Sequence, residues 1–262
     1  MNRAVTGKPA GPQPAKRMNS IIGKEILALA RGCDYAHPGE EEAIEMAMAP
    51  VARNSARRLL DVGCGRGGTA HYIASRGWGS VTGVDIDRKN IDYALQTYRD
   101  LEFVCCDVAN LASAWPQRAD VIFLFTAFYA FPDQETALQQ MRSVAAGGAQ
   151  LVLFDYTWRR RDPRAKTFAS RTEGTWNPVE PDRFPEQLKR TGWHLEQIDD
   201  LSAEFGKWYL ELNSRIRQKR EAIVAHAGED WYRFARDWYE ELGNAFFEDL
   251  LGGAVFYART AG

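Results

Sequence analysis

Cysteine is scarce in this 262-residue chain: Cys33, Cys64, Cys105 and Cys106 follow no metal-ligand or disulfide spacing. Adjacent cysteines rarely bridge or share a metal, so a disulfide framework and a thiolate metal centre are both excluded, and a reducing cytoplasm is the expected compartment. An excess of charge is missing too. The 33 basic and 35 acidic residues leave a formal net charge of -2, which argues against a nucleic-acid partner gripped through its phosphates. No apolar run approaches the roughly 20 residues that span a bilayer, and no charged-then-apolar leader is visible, so no membrane partner is expected. Internal repeats are absent. What is present is 45% apolar residues, 8 tryptophans and 12% aromatics, in a length that suits one large α/β domain carrying a cap.

Residues 1–17 mix Gly, Pro, Lys and Arg without periodicity and read as a flexible tail. The spacing of Ile21, Ile22, Ile26, Leu27 and Leu29 predicts a helix closed at Arg31-Gly32. A turn-rich link through Asp34-Tyr35-Ala36-His37-Pro38-Gly39 and a second helix complete a helical lid over 18–56. From Leu59 short apolar runs (59–62, 81–84, 103–105, 121–125, 151–154) alternate with helical stretches (69–76, 89–98, a short turn at 109–114, 134–145). That rhythm predicts a doubly wound, mostly parallel sheet. Residues 156–181 read as a long functional loop, followed by a helix at 184–191 and a strand at 194–198. Residues 202–251 read as a helical cap of two stretches, 202–226 and 229–251, and Gly252-Gly253 introduces a last strand, 254–258, expected antiparallel at the sheet's edge. The sheet domain is thus 57–201 with 252–262.

The chemistry is concentrated in Leu59-Leu60-Asp61-Val62-Gly63-Cys64-Gly65-Arg66-Gly67-Gly68, a strand, a glycine turn and a helix start. Gly63, Gly65 and Gly68 also satisfy the dinucleotide pattern, so a nicotinamide oxidoreductase is a genuine competitor. Asp61 discriminates. A carboxylate beside the turn repels a pyrophosphate but favours S-adenosylmethionine, which has no phosphate and carries an ammonium and a sulfonium. Asp85 ends the second strand, where it can take both ribose hydroxyls, and Ile86 can lie against the adenine. Asp107 ends the third strand, where it can accept the adenine amino group. Both acids could also serve as helix N-caps.

Leu60-Asp61-Val62-Gly63-Cys64-Gly65, Gly83-Val84-Asp85 and Cys106-Asp107 resemble the first three motifs of class I S-adenosylmethionine-dependent methyltransferases. Ala119-Asp120-Val121-Ile122 resembles their fourth-strand motif, and Gly147-Gly148-Ala149-Gln150-Leu151 the approach to the fifth. The resemblance covers roughly residues 57–156 plus the final strand. It implies a seven-stranded sheet with an antiparallel last strand, S-adenosylmethionine as cofactor, and contacts to it from Asp61, Gly63, Cys64, Gly65, Asp85, Ile86, Asp107, Val108 and Leu124. A looser similarity joins Asp155-Tyr156 and the aromatic cap to phosphoethanolamine and sarcosine methyltransferases. Those enzymes carry a catalytic histidine after the fourth strand, where Ala130 stands here. The glutamate of the similar cyclopropane fatty-acid synthases has no counterpart either.

On the acceptor side, Phe128, Tyr129, Tyr156, Trp158, Trp176 and Trp208 are placed to wall a partly aromatic pocket at the strands' carboxyl ends. Trp231 and Trp238, seven residues apart on one helix face, read as core. Tyr35, His37 and Tyr156 are the candidate general bases, needed only if the acceptor arrives protonated. The basic run Arg159, Arg160, Arg161, Arg164 and Lys166 reads as a solvated loop, or as a clamp for an acidic acceptor. The expected activity is methylation of a small molecule, at an amine nitrogen for preference or at oxygen or carbon of a hydrophobic or heteroaromatic metabolite. A binding-only protein is the remaining alternative, and the sequence does not read out the oligomeric state.

Overall fold

The computed structural model describes residues 16–159 and 176–261. In chain order the elements are α1 (Ile21–Arg31), α2 (Glu40–Met48), β1 (Arg58–Val62), α3 (Gly68–Ser75), β2 (Ser80–Asp85), α4 (Arg88–Thr97) and β3 (Glu102–Cys105). There follow α5 (Leu111–Ala114), β4 (Ala119–Phe125), α6 (Gln134–Val144), β5 (Ala145–Trp158), α7 (Phe184–Arg190) and β6 (Trp193–Asp200). The cap is α8 (Ser202–Gln218), α9 (Arg220–Ala227) and α10 (Glu229–Phe247), and the last strand is β7 (Leu251–Thr260).

The sheet runs β3-β2-β1-β4-β5-β7-β6, parallel except where β7 joins β5 and β6 antiparallel. Its central strand β4, Ala-Asp-Val-Ile-Phe-Leu-Phe, is buried almost throughout because helices cover both faces. Alternate residues feed two cores: Val121, Phe123 and Phe125 join the one under α1, α3 and the cap, and Ile122 and Leu124 join the one under α6 and α7. Strand order reverses between β1 and β4, so a crevice opens at their carboxyl ends.

Three expectations need correction. The last strand is antiparallel but not at the edge. It lies between β5 and β6, and its almost unbroken burial requires neighbours on both sides, whereas the half-exposed β6 tolerates the rim. The fifth strand continues through Trp158, because β7 pairs with it out to Leu251. The cap is three helices, broken at Lys219 and at Gly228, whose φ of +91° favours glycine.

The lid is clipped to the cap. Ser20 caps α1, its hydroxyl accepting from the Gly23 amide at 3.2 Å. At the other end of α1, the buried side chain of Arg31 donates to the His37 carbonyl at 2.5 Å and to Glu40 at 2.6 Å. Arg215 of α8 reaches the same Glu40 oxygen at 3.2 Å. Trp208 of α8 donates its indole N–H to Glu42 at 3.1 Å.

Candidate functional site

A cavity of about 570 Å³ occupies the crevice. Its floor is the glycine turn, where Gly63, Gly65 and Gly67 all have positive φ. Gly63 is obligatory for a second reason: a Cβ there would sit 2.4 Å from that of Ala127, on the loop leaving β4. The amides of Gly63 and Cys64 both donate to the Val84 carbonyl, at 2.8 and 3.0 Å, tying the turn to β2.

Around this floor the strand ends deliver carboxylates. Asp61 is 2% exposed, yet its Oδ2 has no hydrogen-bond partner. Burial, reinforced by the Asp85 charge, holds its pKa well above the usual carboxylate range. Asp85 accepts from the Gly65 amide at 2.8 Å and from the Asp87 amide at 2.8 Å, which fixes its carboxylate at the crevice wall. Asp107 lines the crevice and also caps the turn at Val108–Asn110, accepting from the Ala109 amide at 2.9 Å. The helix α4 is capped by Asp87 and not by Asp85. Ile86 stands 69% exposed at the mouth, an isolated apolar side chain among acids. Thus Asp61, Gly63, Cys64, Gly65, Asp85, Ile86, Asp107 and Val108 converge on one wall.

Leu124 does not. Strand alternation turns it to the opposite core, and the wall takes Phe125 and Thr126 in its place. Thr126 has a φ of +48°, a strained conformation for a β-branched residue, held by its amide's 2.8 Å bond to the Phe154 carbonyl.

The same cavity continues under the cap into an aromatic chamber. Tyr129, Tyr156 and Trp176 pack mutually, with centroids 4.9–5.2 Å apart, and Trp238 meets Trp176 edge-on at 6.3 Å. Tyr239 and Leu242 of α10 close the far side. Trp238, partly buried against the core as its spacing predicts, thus also faces the cavity, while Trp231 packs against Phe234. The chamber is braced by Asp155, wholly buried, which accepts from the amides of Phe128 (2.8 Å), Tyr129 (3.3 Å) and Tyr156 (2.7 Å). Burial lifts its pKa to about 7, against the opposing pull of those amides.

Three predicted wall residues lie elsewhere. Phe128 turns into the opposite core against Phe131 and Phe184. Trp208 is buried between lid and cap, with no space above Gly39, where a Cβ would meet its ring at 2.6 Å. Trp158 ends β5 outside the cavity, its amide bonded to the Val179 carbonyl. Of the basic run, Arg159 pairs with Asp200 and Asp249; Arg160, Arg161, Arg164 and Lys166 lie outside the described residues.

The candidate bases fare differently. His37 is 1% exposed and sits in the cavity wall against Phe125. Its Nδ1 is 3.0 Å from the Pro38 carbonyl, which can only accept, so Nδ1 carries the proton and Nε2 accepts from the Thr69 hydroxyl at 3.1 Å. Burial lowers its pKa to about 3, so the imidazole is neutral. Tyr35 is set back from the cavity, its hydroxyl facing Glu41. Tyr156 lines the chamber, but burial drives its pKa far up and its hydroxyl is hydrogen-bonded to that of Tyr209, which holds it in the protonated form. Lys24, Thr69 and Asn90 also line the acid-walled end of the cavity. Nothing in the sequence singles them out; Asn90, 2% exposed with an unpartnered Nδ2, shows its aim only in three dimensions.

Residues 59–148 match the model of the methyltransferase domain family. The 27-O-demethylrifamycin SV methyltransferase of Amycolatopsis mediterranei is 24% identical over 180 residues, 64% of this chain and 65% of that protein. Among solved structures, a phosphoethanolamine N-methyltransferase of Haemonchus contortus, bound to phosphomonomethylethanolamine and S-adenosylhomocysteine, superposes with a TM-score of 0.80 at 18% identity. The match covers 91% of this chain and 57% of that one. A Mycobacterium tuberculosis cyclopropane synthase gives 0.77 at 15% identity, covering 88% and 93%. This chain therefore spans less than two thirds of the length of the first two.

Proposed function

We propose that this chain, which carries a class I S-adenosylmethionine-dependent methyltransferase domain, transfers the donor's methyl group to a small molecule held in the aromatic chamber. The observation that carries this reading is the single cavity with an acid-lined end at β1–β3 and an aromatic end under the cap. The donor end fits a sulfonium nucleoside. The unpartnered Oδ2 of Asp61 suits an ammonium and would repel a pyrophosphate. Asp85, oriented by the Gly65 and Asp87 amides, is positioned for ribose hydroxyls, the unpartnered Asn90 amide offers a donor, and Ile86 offers a flat apolar face.

When bound, the donor supplies a methyl group already activated by sulfonium, so the protein's task is orientation and exclusion of water. The lid (18–56) and cap (202–251) do the excluding. Neutral His37, with Nε2 engaged by Thr69, is a weak base, so the acceptor must present its lone pair unaided. An amine nitrogen does so as its free base, which an apolar chamber favours. The faces of Tyr129, Tyr156, Trp176 and Trp238 then take up the positive charge that develops on nitrogen. A hydroxyl acceptor is the second reading, favoured by the O-methyl chemistry named for the Amycolatopsis relative. With four free cysteines, we assign the reaction to the cytoplasm.

The test incubates the purified protein and S-adenosylmethionine with panels of amines, phenols and heteroaromatic compounds. A one-methyl mass gain on an amine, with S-adenosylhomocysteine formed, is expected. Gain only on phenols would select the second reading. Tight NADH binding without any response to S-adenosylhomocysteine would restore the nicotinamide alternative.

A further inference from the structure

We propose that Lys24 is the cationic partner of the donor's α-carboxylate, an assignment that rests on the methyl-donor reading above. The amino-acid end of S-adenosylmethionine is a zwitterion, and a crevice closed to water must answer both of its charges. Asp61 answers the ammonium. The other acids of this wall, Asp34, Asp85, Asp87 and Asp107, repel the carboxylate.

Lys24 projects from α1 directly over the glycine turn: an atom at the Cβ position of Gly65 would lie 3.5 Å from its Nζ. Its charge reaches the Cys64 thiol, on which Asp61 and Asp85 act with opposite sign. The ammonium therefore faces the same small volume as the two carboxylates. Unlike its neighbours' side chains, the Lys24 ammonium is uncommitted: among the described residues it has no ion pair or hydrogen bond, the backbone amide alone being bonded, to the Ser20 carbonyl. Glu25, next in the chain, is paired with His226 at 3.0 Å. Asp34, which shares a small hollow with Lys24, is saturated by Arg66 at 3.0 Å and by the hydroxyls of Tyr93 and Tyr98 at 3.0 and 2.9 Å. A half-buried ammonium beside a glycine turn, left unpaired in the same crevice as the unpartnered Asp61 oxygen that would take the donor's ammonium, is set for the donor's carboxylate. Because Lys24 belongs to the lid, this contact would also draw α1 down onto the bound donor.

Titration calorimetry with three ligands isolates the contact: S-adenosylhomocysteine, its decarboxylated counterpart, and 5′-methylthioadenosine, which lacks the amino-acid end. The wild type should bind S-adenosylhomocysteine more tightly than the decarboxylated compound. Lys24→Met keeps the stem and removes the charge; it should weaken S-adenosylhomocysteine about tenfold or more, erase that preference, and leave 5′-methylthioadenosine unchanged, with Lys24→Arg restoring most of the loss. Equal weakening of all three ligands, or an unchanged affinity for S-adenosylhomocysteine, would overturn the assignment. Wild-type protein that binds none of the three would overturn the methyl-donor reading itself, and this contact with it.

Discussion

Asp61 is the residue at which donor binding and stability pull in opposite directions, so Asp61→Asn should move them apart. In the ligand-free protein the carboxylate is buried, beside the Asp85 charge, with one oxygen unpartnered. Each pH unit between the unfolded and folded pKa of this acid costs the wild type at most about 1.4 kcal/mol, and recovering about 1 kcal/mol raises Tm by roughly 2–4 °C at this size. The pH dependence has a definite sign. The folded pKa of Asp61 lies above its unfolded value, so below about pH 4 both states are protonated and the variant gains nothing. Its advantage opens as pH rises above that point, because the unfolded wild-type aspartate is then ionised and must take up a proton to fold, whereas the amide need not. With donor present the order reverses, since the lost charge-assisted contact to the ammonium is worth roughly 1.5–3 kcal/mol, or about ten- to a hundredfold in Kd. Scanning fluorimetry from pH 4 to 8, with and without S-adenosylhomocysteine, reads both effects. A variant that binds S-adenosylhomocysteine as tightly as wild type, or that melts below it in the absence of ligand across this range, would refute the reasoning.

Two further outcomes follow from the chamber. Asp155 is protonated in the fold up to about pH 7, well above an unfolded aspartate, so the stability it contributes is full below about pH 4 and is lost as pH rises toward 7. Asp155→Asn should therefore flatten the wild-type decline over that window, by at most about 1.4 kcal/mol per pH unit, in chemical denaturation at fixed pH. Trp238→Ala should raise the KM for acceptor by about tenfold, an aromatic wall contact being worth roughly 1–2 kcal/mol, while titrated S-adenosylhomocysteine affinity stays unchanged. A loss of donor affinity in that variant would show that the chamber and the donor crevice are not separable.

The donor half of the cavity was legible because its residues are local in the chain to the features that place them. A strand must end where Gly63 turns, and an acid at a strand end must face the crevice of a doubly wound sheet, so Asp61, Asp85 and Asp107 needed only three short runs and a glycine pattern. Leu124 shows the limit of that reasoning: the strand was placed correctly, but one residue's phase decides the face, and the wall belongs to Phe125. The acceptor half had no such anchor. Its wall converges from residues 36–37, 125–127, 129–132, 156, 176, 234, 238–239 and 242, brought together only when the cap folds over the sheet. Aromatic character alone does not say which side of a packed layer a ring occupies, which is why Trp208 and Phe128 are core while Trp238 lines the chamber. The edge position of the last strand failed for a related reason: an apolar run after Gly252-Gly253 reveals a strand but not its neighbours, and its burial is a property of the assembled sheet. Lys24 and Asn90 mark the same boundary. Each is one polar residue on an ordinary helix, and what distinguishes it is a missing partner, a relation between side chains that no periodicity encodes.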